Sequence, residues 1–349
     1  MKTFQARLPI ALVTVALVAT ACTGGGGSPG ASASASDAAP SAAEAYSVAF
    51  FAASSQNGFN AAVYEGVEAA AAELGIETTI FDGEFNAQTQ LNQMEDAIAS
   101  GQYDGFVLLA NDTVGIATAV EQAWEADTPT VTTLFPIGPD LTTLEQQVDG
   151  IVGTVARPPA DGAQLEADAV VEFCADKDPC RVVILIGQLQ FPFDNVRYET
   201  FTSVLEEHDN IEIVATGEGN YDRDTSMTAM QDILQANPEI DVVLSNADQH
   251  LSGAELAIED AGLSVEDIFL VGAGATQEAI DNVRSGRWDA TLADYPRTMG
   301  ERALELLVAE LNGEDHETVI NEDTFFDIGP LLTTEELEAN PDFEAEWAG

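Results

Sequence analysis

Short apolar runs and amphipathic segments alternate along most of the chain. Residues 46–53, 103–111 and 180–188 are apolar runs of a length that fits buried strands. A segment with apolar residues at helical spacing follows each of them, and the clearest is 58–75, where Gly75 supplies a stop signal. This alternation predicts an α/β fold built on doubly wound parallel sheets.

The alternation occurs twice. The first series runs to a strand over residues 128–136, and a Pro-rich break is expected at 154–162, TVARPPADG. The second series begins with a helix over 163–175 and ends with a long helix over 297–313. We therefore expect two similar α/β lobes that are joined near residues 153–159.

The first residues are typical of a protein that is exported. Residues 8–21 form an apolar run that is shorter than the roughly 20 residues needed to span a membrane. Because Lys2 and Arg7 flank this run and small residues end it, residues 1–21 are predicted to be a secretory signal peptide. Residues 23–45 are rich in Gly, Ser, Ala and Pro, a composition typical of a disordered tether.

The end of the signal indicates how the protein is held at the membrane. Residues 19–22, ATAC, resemble the bacterial lipobox, in which the cysteine becomes the lipidated first residue. That resemblance implies lipidation at Cys22 and an extracytoplasmic protein anchored to the cell membrane. The alternative is ordinary Ala-x-Ala cleavage, which would release a soluble protein.

The size and the charge of the chain restrict its domain organisation and its possible partners. Residues 46–349 exceed the length at which a single core usually stops growing, which favours two lobes. The chain has 61 acidic and 11 basic residues, a net charge of −50 that repels phosphate backbones and argues against nucleic acid as a partner. The acidic residues are scattered through the chain, and this pattern indicates that the whole surface is adapted, for example to high salt.

The cysteines and histidines predict a disulfide and no metal site. Cys174 and Cys180 are six positions apart in an exported chain, so we expect them to form a disulfide. The histidines at 208, 250 and 316 have no ligand spacing. We find no G-x-S-x-G or G-x-G-x-x-G motif, so the sequence predicts no cofactor and no enzyme activity.

Several motifs together resemble a known family. In order they are the lipobox, NGFNAAVYEGVEAAAAELG, YDGFVLLANDTVGIATAVEQAWEADTPTVTT, YDRDTSMTAMQDILQANPEIDVVLSNAD and GRWDATLADYPRTMGERALELL. Over residues 46–330 the chain is similar to type I periplasmic binding proteins, the ribose-type sugar-binding subfamily of ABC importers. The resemblance implies a monomer that captures a solute by lobe closure and delivers it to ABC permease subunits. A receptor that feeds a sensor or chemoreceptor is the alternative.

The resemblance also implies the domain boundaries. Three crossings between lobes are expected near 153–159, 294–295 and 327–329. The N-terminal lobe would comprise residues 46–155 plus 295–327. The C-terminal lobe would comprise residues 156–294 plus 328–349.

The family pattern implies a set of ligand contacts. Amide and acid groups would bond hydroxyls, while aromatic rings would cover C–H surfaces. The matching positions are Asn57, Phe59, Asn60, Phe135, Asn195, Tyr221, Asp248 and Asp294. The alternatives are a helix cap for Asn57, a core ring for Tyr221 and a hinge carboxylate for Asp294.

The chain departs from the family at the charged groups. Phe135 and Pro136 replace an Asp-Arg pair, Asn195 replaces a ligand Arg, and Gly274 stands where an Asp is usual; Arg197 matches a helix arginine that is usually structural. A pocket that is more aromatic and less charged follows, with no buried cation to hold an anion. We expect a neutral sugar or polyol, while nucleosides and less polar solutes stay open.

Overall fold

The computed structural model describes residues 46–349; the predicted signal peptide, Cys22 and the tether lie outside the described residues. Two six-stranded sheets form its framework. Numbered in chain order, the strands of the first sheet are β1 (Ser47–Ala52), β2 (Glu77–Asp82), β3 (Gly105–Leu108), β4 (Thr130–Leu134), β5 (Ile151–Ala156) and β11 (Val319–Asn321). Those of the second are β6 (Cys180–Ile186), β7 (Ile211–Glu218), β8 (Val242–Ser245), β9 (Phe269–Ala273), β10 (Ala290–Leu292) and β12 (Leu331–Thr333).

The two sheets repeat one topology. The first has the order β2-β1-β3-β4-β5-β11 and the second β7-β6-β8-β9-β10-β12. All paired strands are parallel except β12, which runs antiparallel to β10. Central strands such as β1 are buried on both faces, and this explains their continuous apolar sequences. The predicted fold class, two doubly wound α/β lobes, is confirmed.

Helices cover both faces of each sheet. Those that pack in the first lobe are α1 (Gly58–Leu74), α2 (Ala87–Ser100), α3 (Ala117–Glu125) and α9 (Pro296–Leu311). Those that pack in the second lobe are α4 (Pro159–Cys174), α5 (Pro192–Glu206), α6 (Arg223–Ala236), α7 (Asp248–Asp260), α8 (Gln277–Ser285) and α10 (Thr334–Ala339). Single 3₁₀ turns occur at Val265–Asp267 and Glu322–Thr324.

The chain passes between the sheets three times. It leaves the first sheet after β5, returns between β10 and α9, and crosses again between β11 and β12. These passages bring residues 157–158, 293–295 and 322–330 together between the lobes.

The structure limits the predicted break over residues 154–162 to residues 157–158, where the chain crosses between the lobes. That stretch contains the end of β5, which pairs with β4 and β11, and the first turn of α4. Proline is tolerated at the first position of a helix because the N–H it lacks would have no partner there, so α4 begins at Pro159. The short elements β11, β12 and α10 were not predicted.

The disulfide lies where the sequence predicts it. Cys174 ends α4 and Cys180 begins β6, and the two Cα atoms are 5.6 Å apart. Within residues 46–349, the helices are too short or too polar to cross a membrane.

Candidate functional site

A cavity lies between the carboxyl ends of the two sheets. Ligands of doubly wound sheets usually bind at this end of the strands. The lining residues come from both lobes and from the end of the chain: Ala53, Asn57, Phe59, Asn60, Phe85, Leu109, Leu134, Phe135, Phe193, Arg197, Tyr221, Asn246, Ala247, Gln249, Ala273, Gly274, Asp294 and Trp347.

Six of the eight residues predicted from the sequence line this cavity. They are Asn57, Phe59, Asn60, Phe135, Tyr221 and Asp294. The other two, Asn195 and Asp248, do not.

The first turn of α1 brings three of the predicted residues to one edge. Asn57 is the N-cap of α1, and its Oδ1 accepts hydrogen bonds from Asn60 N at 3.2 Å and Asn60 Nδ2 at 3.0 Å. Asn60 Oδ1 accepts from Ala53 N at 2.8 Å. Asn57 therefore both caps the helix and lines the cavity, and Phe59 is fixed beside it.

Stacked aromatic rings from both lobes form one wall. Phe135 follows β4 and stacks on Phe193 of α5, with ring centroids 4.0 Å apart and an interplanar angle of 12°. Phe85 of the first lobe stacks on Tyr221 of the second at 5.9 Å. An apolar surface thus continues from one lobe to the other.

Tyr221 is held at both its hydroxyl and its backbone. Its hydroxyl donates to Asp194 Oδ1 at 2.6 Å, and its N–H donates to His250 Nε2 at 2.9 Å. Its φ of 55° is rare for a residue with a side chain, so these two bonds hold it in an unfavourable backbone region. The ring is therefore fixed in direction.

His250 is a neutral structural acceptor. Because Nε2 accepts from Tyr221, Nδ1 carries the proton and donates to Ser245 Oγ at 2.9 Å. Burial lowers the pKa of His250 to about 3, so it stays neutral at physiological pH. In the described part of the chain, no group of three or more His, Cys, Asp or Glu side chains is placed to hold a metal ion.

Asn246 presents an acceptor without a partner. It follows β8 and is 4% exposed, and its Nδ2 donates to Asp194 Oδ1 at 2.8 Å. Its Oδ1 is buried and has no hydrogen-bond partner among residues 46–349. The residue lines the cavity, and a buried acceptor without a donor is costly.

Arg197 corrects the prediction that no buried cation remains. It lines the cavity, with Nη1 3.7 Å from Asp194 Oδ1 and its guanidinium carbon 5.1 Å from the Phe135 ring centroid. Burial disfavours its charge, but Tyr221 and Asp194 outweigh burial and raise its pKa. Burial in turn raises the pKa of Asp194 to about 6.

Asp294 is paired with a buried arginine. It lies at the second crossing, and its Oδ1 accepts from Arg157 Nη1 at 3.1 Å. Asp294 thus lines the cavity and is also a hinge carboxylate, so its position is compatible with both roles considered from the sequence, ligand contact and hinge residue.

Asn195 and Asp248 are directed elsewhere. Asn195 is exposed on α5, because the face of that helix that meets the cavity carries Phe193 and Arg197. Asp248 is buried within the second lobe, where its oxygens accept from Thr291 Oγ1 and Thr276 N. Neither fits a ligand contact.

The ligand contacts predicted from the sequence leave out several lining residues. Arg197 was predicted to be structural, and its spacing of three from Asp194 on one helical face indicated only that the two side chains are neighbours. Asn246 directly follows a strand, the signal used for the other predictions. Phe85 and Trp347 lie outside regular elements, and no pattern indicated them.

Comparison with known proteins identifies the family. Residues 48–315 match the periplasmic binding protein domain. The ribose import binding protein of Bacillus subtilis (strain 168) is 26% identical over 267 residues, which are 76% of this chain and 81% of that protein.

Two solved structures share the fold. A solute binding protein from Bacillus halodurans C-125 with bound myo-inositol gives a TM-score of 0.72 at 23% identity, covering 86% of this chain and 99% of that one. A protein from Mycobacterium smegmatis in complex with β-D-fucofuranose gives 0.74 at 20% identity, covering 84% and 93%.

Proposed function

The chain belongs to the periplasmic binding protein family, and from this premise we propose that it captures a neutral sugar or polyol between its lobes and delivers it to an ABC permease. The family consists of binding proteins, and the chain is not an enzyme. The names of its relatives, which bind ribose, myo-inositol or fucofuranose, support a hydroxylated solute.

The observation that carries the proposal is the pairing of aromatic faces with an unsatisfied acceptor. Phe135 and Tyr221 present ring surfaces, while Asn246 Oδ1 lacks a donor. Aromatic faces suit the C–H surfaces of a sugar, and the amide oxygen suits a hydroxyl. A solute that offers both kinds of surface fits this cavity.

The charges near the cavity favour a neutral solute. Arg197 faces the cavity, but Asp194 offsets its charge at 3.7 Å. Asp294 is offset by Arg157 in the same way. An anion would have to compete with buried carboxylates for these arginines, and a cation would have to compete with the arginines.

The proposal includes export and a lipid anchor at Cys22, based on the lipobox-like residues 19–22. A lipid anchor would keep the local concentration of the binding protein near the permease high. Replacing the cysteine, Cys22→Ser, should move the protein from the membrane fraction to the soluble fraction. Unchanged fractionation would refute the anchor.

The test of binding is a thermal-shift screen followed by calorimetry on the full-length protein. The panel contains D-ribose, D-fucose, myo-inositol and glycerol, with adenosine as a nucleoside and ribose 5-phosphate as an anion. A ligand that binds the folded state stabilises it by RT ln(1 + [L]/Kd), so binding raises Tm. Stabilisation by the phosphate alone, or by no hydroxylated solute, would contradict the proposal.

A pair of asparagine variants provides the matched control. Asn246→Ala removes the buried acceptor, whereas Asn195→Ala removes an exposed asparagine outside the cavity. We expect the first to weaken binding of the best solute about tenfold, the value of one hydrogen bond of about 1.4 kcal/mol, and the second to leave affinity unchanged. Equal affinities would mean that the solute binds elsewhere.

A further inference from the structure

The last described residues, 341–349, form a segment that contacts both lobes; we call it the closing segment. On the side of the second lobe, Gln277 N donates to Trp347 O at 3.0 Å. Arg284 Nη2 also donates to the carbonyl of Phe343. These bonds fix the closing segment along α8.

The same segment is attached to the first lobe. Thr298 N, in the first turn of α9, donates to Glu346 Oε2 at 3.1 Å. The ring of Phe59 meets Trp347 edge to face, with centroids 5.4 Å apart and an interplanar angle of 87°. The closing segment is therefore a noncovalent link between the lobes in addition to the three crossings.

Trp347 lies where this link meets the cavity. Its side chain is 6% exposed and lines the cavity beside Phe59. Its indole N–H donates to Gly274 O, at the end of β9, at 2.7 Å. The indole nitrogen of Trp347 is thus bonded to the second lobe, and the ring presents apolar surface to the cavity.

Gly274 makes room for the indole. A Cβ at this position would lie 3.0 Å from Trp347 Cζ2, which is tighter than nine in ten real Cβ contacts. A side chain at 274 would therefore require the ring to shift by a few tenths of an ångström, and the φ of 126° at this position also disfavours residues other than glycine. The glycine and the tryptophan therefore pack closely against each other.

We propose that Trp347 is a ligand-contacting residue that determines specificity, and that the closing segment holds it in the cavity wall. This inference rests on the proposed function and deepens it. An apolar ring with its N–H already bonded favours a solute with a C–H face on that side and disfavours a charged or strongly polar substituent there. Phe59 and the indole would then cover one face of the solute together.

The experiment compares three variants of the full-length protein with D-ribose, D-fucose and myo-inositol as probes. Trp347→Ala removes the ring, Trp347→Phe keeps an aromatic face, and Trp124→Phe changes an indole on α3 that is 45% exposed and outside the cavity. The measurements are Tm, Kd by calorimetry, and the change in tryptophan emission when the probe is added.

We expect the probe that binds the parent protein most tightly to bind Trp347→Ala about tenfold more weakly or worse, and Trp347→Phe only a few-fold more weakly. The emission change on binding should be lost in Trp347→Phe and kept in Trp124→Phe. This loss is a readout that a structural role distant from the solute would not produce. If Trp347→Ala does not fold, Trp347→Phe still provides the test.

The outcomes separate this inference from the proposed function. If a probe stabilises the parent protein, and it binds Trp347→Ala with the same Kd or keeps its emission change in Trp347→Phe, the inference is wrong while the function stands. If none of the probes stabilises the parent protein, the proposed sugar or polyol function is wrong, and the inference fails with it.

Discussion

Arg157→Met is expected to destabilise the fold because it removes the cation that connects the three crossings. Arg157 follows β5 at the first crossing. It donates to Asp294 Oδ1 at 3.1 Å and Ala293 O at 2.8 Å at the second, and to Asp323 Oδ1 at 2.7 Å at the third. The carboxyl oxygen of Glu322 lies 3.4 Å from Nη1.

The magnitude follows from burial. The side chains of Arg157, Asp294 and Glu322 are 4%, 8% and 1% exposed. Burial opposes the charge of the guanidinium, but the surrounding carboxyl groups outweigh it and raise the pKa of Arg157. Removing one partner of a buried ion pair typically costs about 3–5 kcal/mol, because the remaining charges stay buried without compensation.

The assay is unfolding followed by circular dichroism, with urea and with heat, at pH 7. At about 2 °C per kcal/mol for a chain of this size, the expected fall in Tm is about 6–10 °C. Arg297→Met is the matched control, because Arg297 pairs with Glu65 where both side chains are about half exposed, at 50% and 55%. Such a surface pair contributes about 0–1 kcal/mol.

A conservative variant sharpens the result. Arg157→Lys keeps the positive charge, but a single ammonium cannot reproduce the planar set of donors that reaches three chain segments. We expect the free energy of unfolding of Arg157→Lys to lie between that of the parent protein and that of Arg157→Met. If Arg157→Met costs no more than Arg297→Met, the network does not stabilise the hinge and the reasoning is refuted.

Three further predictions concern pH, salt and the aromatic wall. Burial raises the pKa of Asp194 to about 6, of Asp248 to about 7 and of Glu322 to about 8. An acid whose pKa is raised on folding contributes stability that is fully present below its unfolded pKa near 4, and this stability is lost as pH rises through its folded pKa. Burial lowers the pKa of His250, so its contribution to stability changes in the opposite direction, but only up to about pH 6.5. The free energy of unfolding should therefore fall from pH 6.5 to 8, less steeply in Asp248→Asn; a flat profile in urea titrations would contradict this. The net charge of −50 should make Tm rise from low salt to about 1 M NaCl, where the Debye length is ~3 Å, and a constant or falling Tm would argue against charge repulsion. Phe135→Ala should weaken binding of the best solute about tenfold, since it removes the ring stacked 4.0 Å from its partner in the other lobe; calorimetry giving an unchanged Kd would place the solute away from this wall.

Local sequence patterns were enough to predict the order of most helices and strands, because strand and helix patterns are local. Continuous apolar runs and helical periodicity predicted the two α/β series, and the cysteine spacing predicted the disulfide. The sequence patterns did not predict β5 or the first turn of α4, because the prolines there were interpreted as a break. Only the pairing of β5 with β4 and β11 shows that the strand continues.

The chemistry of the cavity depends on contacts between segments that are far apart in the sequence. Which face of α5 meets the cavity depends on how that helix packs, and it selects Arg197 and leaves Asn195 in solvent. The pairing of Arg157 with Asp294 joins residues 137 positions apart, and Trp347 reaches Gly274 across 73 positions. Contacts over such separations leave no periodic signal in the sequence, because they depend on how the lobes and the last residues pack together.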